Sequence, residues 1–207
     1  MKTVELFCGT KSFSRVAEKR GHETFTVDIN PTFEPDHIYD LRNYPDEKIL
    51  KMLSMADVVW MSPVCTTLSM ASGNRHWTKE REPKTVSALD TLRMIKVCKN
   101  IIENFPRIIY FVENPRARMR WFLPDDNTRH TVWYCQYEYE FAKPTDIWTN
   151  LRGWVPRTCH NGNPDCHHNR CPRGSSNSID KLPGKTILRS VIPKKLFEEL
   201  FEIMEGD

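Results

Sequence analysis

The chain reads as an α/β fold on a mostly parallel central sheet. Three observations predict this. Short apolar runs at residues 3–7, 58–61 and 108–113 read as buried strands. Helix-like stretches at 12–20, 46–55 and 85–104 alternate with them, the rhythm of βαβ units. Chemistry-bearing residues follow the strands, where an open α/β sheet holds its ligands.

Residues 3–7 form the first strand and residues 8–11 a turn. A helix over 12–20 ends at Gly21. Residues 23–27 are a second strand, closed by Asp28-Ile29-Asn30-Pro31. Residues 37–40 are a brief extended segment and 46–55 a helix. The run 58–61, VVWM, is apolar on both faces, and Ser62-Pro63 stops it. A loop over 62–84 leads to a long helix, 85–104, with Leu89, Leu92, Ile95 and Val97 as apolar positions. Strand 108–113 follows, and Pro115 breaks it. Residues 131–141, TVWYCQYEYEF, alternate in part and read as a strand, as do 146–149. Residues 152–184 are rich in Pro, Gly, Asn, Cys and His without apolar periodicity, so an irregular segment is expected. Residues 193–204 form an amphipathic helix, with Leu196, Leu200 and Ile203 on one face.

At 207 residues one domain with a real core is expected. A net charge of +3 gives no bulk argument for nucleic-acid binding. A local patch would have to come from Arg116, Arg118 and Arg120, or from Arg152, Arg157, Arg170 and Arg173. The chain opens on a strand and not on a signal segment, and no apolar run reaches the roughly 18 residues of a membrane span. A cytoplasmic protein without membrane contact is the expectation. Seven cysteines, an odd number, suit free thiols or metal ligands better than a disulfide scaffold.

Three constellations carry chemistry. In Glu5-Leu6-Phe7-Cys8-Gly9-Thr10-Lys11-Ser12, Gly9 lets a ligand approach the backbone, and the helix start offers N–H groups to an anion. An ordinary βα turn is the competing reading. Asp28, ending the second strand, is placed to bond a ribose hydroxyl pair, or else caps a turn before Pro31. Cys65, after the Ser-Pro stop, is a candidate nucleophile; a small buried thiol is the bland alternative. Glu113-Asn114 ends the next buried strand with a carboxyl group and an amide. A thiol and a proton-handling carboxyl at neighbouring strand ends suit covalent chemistry on a small planar substrate.

The ordered set Phe7-Cys8-Gly9, Asp28, Asp40, Ser62-Pro63-Val64-Cys65 and Glu113-Asn114 resembles the cytosine-C5 DNA methyltransferases, in particular the short versions encoded by bacteriophages. The resemblance covers roughly residues 3–150. It implies a Rossmann-like, S-adenosylmethionine-dependent enzyme with a restriction-modification type of chemistry, working in a bacterial host cytoplasm as a single chain. The cofactor would lie in the turn of Phe7, Gly9, Thr10, Lys11 and Ser12, with Asp28 on its ribose, Asp40 near its adenine, and Ile29, Leu41, Ser62 and Pro63 also in contact with it. Cys65 would attack C6 of a flipped or single-stranded cytosine, and Glu113 would support protonation at N3, with Asn114 next to it. Val64 replaces the family's usual second proline. Where the family has Gln-x-Arg-x-Arg, this chain has Ala142-Lys143-Pro144-Thr145-Asp146, so Lys143 is the candidate contact to the cytosine oxygen. Arg189-Ser190-Val191-Ile192-Pro193 resembles the last family motif and implies Ser190 near the cofactor carboxylate.

The resemblance divides the chain into a catalytic core over 1–150, a reduced recognition insert over 151–185 and a segment over 186–207 that packs back. Three cysteines and three histidines crowd residues 159–171 of that insert, and Cys159, Cys166, His168 and Cys171 are a candidate zinc set. A polar loop with incidental thiols is the alternative. RNA is the alternative substrate, because a tRNA cytosine methyltransferase family shares the motifs. A non-catalytic nucleic-acid-binding or regulatory protein is the third reading.

Overall fold

A computed structural model describes residues 1–124, 126–169 and 190–206. Its strands are β1 (Lys2–Leu6), β2 (Glu23–Asp28), β3 (His37–Ile38), β4 (Val58–Met61), β5 (Ile109–Pro115), β6 (Arg129–Trp133) and β7 (Pro144–Thr149). Its helices are α1 (Ser12–Lys19), α2 (Glu47–Met55), α3 (Val86–Asn104) and α4 (Lys194–Gly206). The strands form one sheet in the order β3-β2-β1-β4-β5-β7-β6. Neighbours from β3 to β5 pair in parallel, and β7 runs antiparallel to both β5 and β6.

The sequence of β4 shows why the sheet is covered on both sides. Side chains alternate across a strand. Val58 and Trp60 join the core made with Phe13 and Val16 of α1 and Leu196 and Phe201 of α4. Val59 and Met61 join the core made with Ile49 and Leu53 of α2 and Ile95 and Ile101 of α3. All four strand residues are fully buried, so a polar substitution at any of them finds no solvent-facing side. Caps fix the helix starts: Asp46 accepts from the Ile49 N–H at 2.9 Å, and Thr85 from that of Ala88 at 3.3 Å. Among the described residues no helix is long and apolar enough to cross a membrane.

Three expectations change. The stretch 131–141 is not one strand: β6 ends at Trp133, and Tyr134–Tyr137 form a 3-10 turn. Tyr134, Cys135 and Tyr137 are all buried. A strand would turn neighbouring side chains to opposite faces, whereas a helical turn brings positions one and three apart inward together. Pro115 does not break β5 but closes it, opposite Thr145. On α3 the inward face is Ala88, Thr91, Ile95, Cys98 and Ile101, while Leu89 is exposed.

Candidate active site

The connection order reverses between β1 and β4, which are neighbours although two strands separate them in sequence. A crevice opens at the carboxyl ends of such a pair. The turn leaving β1 is strained. Phe7 has φ 57° and Lys11 φ 56°, both left-handed without being glycine, and Gly9 between them has φ 45°. Such residues cost about 1–3 kcal/mol each and gather at ligand sites. Backbone bonds hold the turn: Cys8 N–H to Val27 O at 3.1 Å and Lys11 N–H to Cys8 O at 2.7 Å. A Cβ built on Gly9 meets nothing within 4 Å, so the turn faces open space.

The helix start is less free than its sequence suggests. Glu5, buried inside β1, accepts the N–H groups of Phe13 at 3.3 Å and Ser14 at 2.9 Å. Burial pushes its carboxyl group up to about 7 against the bonds from Ser14 and Phe13 that pull it down. Two of the N–H groups read as available to a ligand are therefore engaged within the chain.

Asp28 braces the same turn, accepting Gly9 N–H at 2.9 Å on one oxygen and Asn30 N–H at 2.9 Å on the other. Ile29 beside it is 52% exposed, an apolar side chain left in water next to the turn. Asp40 is gripped by the Arg42 guanidinium at 2.8 and 2.6 Å, and this bond holds its carboxyl below the usual range. Leu41 is buried.

Cys65 is half-buried and opens a helical turn, its carbonyl accepting Leu68 N–H at 3.0 Å and Ser69 N–H at 2.9 Å. The loop that carries it is strapped from two sides. Asn114 donates its Nδ2 to Pro63 O at 2.9 Å, which ties the end of β5 to the loop after β4. Arg118, 6% exposed, donates to Ser69 O and Gly73 O at 2.7 Å each. Arg120 makes two bonds to the buried Asp146, at 2.6 and 2.7 Å. The cluster Arg116, Arg118 and Arg120 is thus not a basic surface patch: two of its members are spent on internal bonds.

Glu113 is buried at the end of β5, and its Oε1 accepts the Tyr134 hydroxyl at 3.0 Å. Burial raises its carboxyl group above the ordinary range, while the Lys143 charge and hydrogen bonds from Tyr134 and Ser62 pull it back. The Lys143 ammonium stands over the Tyr134 ring, 4.6 Å from its centroid. Asn114 keeps its Oδ1 buried with no partner among the described residues. Native folds rarely leave such an oxygen orphaned, so it fits a donor supplied by a ligand. Chemically, the arrangement offers a thiol, a carboxyl group biased towards its protonated form, and a cation close to it.

The sequence does not single out Tyr134 and Cys135, and it names Arg118 only within a candidate basic patch. Tyr134 and Cys135 sat in an apparent strand, and Arg118 in an apparent surface cluster. Cys135 stands with Cys159, Cys166 and His168, their ligand atoms all within 4.8 Å of one another. Cys171, the expected fourth ligand, lies outside the described residues. Ser190 is exposed and leads towards α4, which packs against α1 through Phe13–Phe197 and Phe13–Phe201 ring contacts at 5.5 and 5.2 Å.

A parallel sheet with one antiparallel strand in this order is the Rossmann-like fold of S-adenosylmethionine-dependent methyltransferases. No protein-family model matches the chain. A probable DNA (cytosine-5)-methyltransferase of Frog virus 3 (isolate Goorha) is 30% identical over 165 residues, 77% of this chain and 75% of the relative. The methyltransferase EhMeth of Entamoeba histolytica superposes with a TM-score of 0.50 at 12% identity, over 75% of this chain and 55% of that one. The Dnmt2 methyltransferase of S. pombe gives 0.46 at 11% identity, over 75% and 52%. The chain thus spans about half the length of these solved structures. On the viral relative, the chain belongs to the DNA (cytosine-5)-methyltransferase family.

Proposed function

We propose that the protein methylates C5 of cytosine in DNA, with S-adenosylmethionine as donor and Cys65 as covalent nucleophile. The observation that carries this reading is the Asn114–Pro63 bond, which couples the Glu113 strand end to the Cys65 loop. The family to which the chain belongs supplies the reaction type.

The Cys65 thiolate adds to C6, the electron-poor carbon of the ring. Glu113, kept towards its protonated form by burial, donates to N3 and takes up the charge that the addition pushes across the ring. C5 then becomes nucleophilic. Bound S-adenosylmethionine supplies an electrophilic methyl group. With the methyl group on C5 and the donor left as its neutral thioether, a base removes the C5 proton, the C6–S bond breaks, N3 returns its proton to Glu113, and Cys65 leaves as thiolate. Lys143 faces the cytosine oxygen and holds its partial negative charge. The orphaned Asn114 oxygen accepts a donor from the bound molecules.

The turn of Phe7, Gly9, Thr10, Lys11 and Ser12 is suited to the cofactor because it is strained, open at Gly9 and bordered by exposed Ile29. Ile29 and Leu41 bracket the adenine, Asp28 bonds the ribose, and Ser62, Pro63 and Ser190 border the remainder. Asp40 reaches the adenine only by sharing itself with Arg42. The target cytosine must leave the helix stack, or be single-stranded, to reach a half-buried thiol.

Nucleoside mass spectrometry of cytosine-rich duplex DNA, incubated with protein and S-adenosylmethionine, tests this. We expect 5-methylcytosine with the wild type and none with Cys65→Ala. Methylation of matched RNA in preference to DNA would overturn the substrate, and methylation by Cys65→Ala would overturn the nucleophile.

A further inference from the structure

We propose that Cys135, Cys159, Cys166 and His168 form a closed structural zinc site. The donors come from distant stretches of chain: Cys135 from the 3-10 turn after β6, the others from the loop beyond β7. Their ligand atoms lie within 4.8 Å of one another. A tetrahedral zinc ion with sulfur at about 2.3 Å places its ligand atoms about 3.5–3.8 Å apart. Cys159 Sγ and His168 Nδ1 are already 3.9 Å apart, and a contraction of at most about 1.3 Å closes the rest.

The surroundings suit thiolates. Gln136 Nε2 donates to Cys166 Sγ at 3.3 Å, and Asn163 Nδ2 donates to Cys159 Sγ at 3.4 Å. Amide donors to ligand sulfurs are the usual outer partners of a thiolate metal site. No disulfide joins any two of the described cysteines, so none among them competes for these sulfurs. Three thiolates and an imidazole select zinc over magnesium or calcium, and four protein ligands leave no open position for catalysis.

The loop also needs such a clip. From 155 to 169 its one apolar residue besides cysteine is Val155, which is 83% exposed. A segment without a core is folded by its metal. One backbone bond and one side-chain bond dock it beside the same turn: Asn169 N–H to Glu140 O at 2.7 Å, and the His167 imidazole Nε2 to Tyr139 O at 3.2 Å. Cys135 directly follows Tyr134, whose hydroxyl meets Glu113. The ion would therefore tie the root of the segment leading into residues 170–189 to the neighbour of the reactive carboxyl group. It holds structure and takes no part in the reaction.

The test is metal analysis of the full chain, purified without added metal or chelator. One zinc per chain is expected in the wild type, lost in Cys135→Ser and in Cys166→Ser, and retained in Cys171→Ser. Should a variant misfold by circular dichroism, cobalt exchange into the wild-type protein keeps the test open. Intense visible bands and near-ultraviolet thiolate charge transfer are expected. Wild-type protein without stoichiometric metal and without a thiolate–cobalt spectrum would overturn the site. Zinc retained by folded Cys135→Ser but lost from Cys171→Ser would overturn the ligand set. None of these readouts uses methylation, so they stand or fall apart from the catalytic reading.

Discussion

Glu113 and Tyr134 meet at 3.0 Å inside a buried site, and that bond opposes what burial does to the carboxyl group. The hydroxyl stabilises the ionised form, so its removal raises the group further. If protonated Glu113 is the working species, activity falls as pH rises through its titration. In Tyr134→Phe that high-pH limb of kcat/KM should move to higher pH, with protein folding unchanged. A limb that stays in place would show that Tyr134 does not act on Glu113. Glu113→Gln should lower kcat by about 10²–10⁴, the usual worth of a positioned proton donor, measured by methyl incorporation. Cys65 and Glu113 are legible in the sequence because each follows a buried run and stands next to a proline-marked strand end. Tyr134 and Cys135 are not, because their partners lie 21 or more residues away and are brought near only by the sheet.

The element that most directly shapes the site is the loop from 62 to 85. Arg118 binds it at Ser69 and Gly73 through carbonyls, and Trp77 donates its Nε1 to Thr67 O at 2.8 Å. Arg118 is buried, so truncation leaves two carbonyls, Ser69 O and Gly73 O, without their donor. Arg118→Met should destabilise the protein by about 2–4 kcal/mol, read by urea unfolding. It should also speed proteolysis within 66–84 before global unfolding, with Cys65 chemistry impaired though no reacting atom is changed. Equal cleavage rates would mean that the loop holds itself. The segment 131–141 marks the limit of pattern reading. Its aromatics alternate well enough to suggest a strand, but three of its buried side chains must point the same way, and only the packed fold reveals that demand. The βαβ part is easier to read because its strands are apolar on both faces and its helices end at Gly21 and Phe105-Pro106.

At the scale of the whole molecule, the fold stakes stability on a carboxyl group in its centre. Glu5 is raised from the usual 4.5 to about 7 by burial. Below 4.5 it is protonated both folded and unfolded. Between these values the native state holds the extra proton, so stability falls as pH rises, and the penalty is complete above 7. The shift corresponds to roughly 3 kcal/mol. Urea unfolding at pH 5 and pH 8 should show the wild type losing roughly 2–3 kcal/mol relative to Glu5→Gln. A parallel pair of curves would contradict the assignment. The same carboxyl group pins α1 under the Gly9 turn, so core and ligand turn share one support.

The central claim is that Cys65 forms a covalent bond with a cytosine ring. It is tested most directly on duplex DNA carrying 5-fluorocytosine, where fluorine blocks the final loss from C5. With S-adenosylmethionine present, the wild type should give a denaturation-stable protein–DNA adduct whose mass includes the transferred methyl group, and Cys65→Ser should give none. An adduct formed equally by Cys65→Ser, or methyl transfer by the wild type on ordinary DNA with no adduct on the fluorinated strand, would contradict the account.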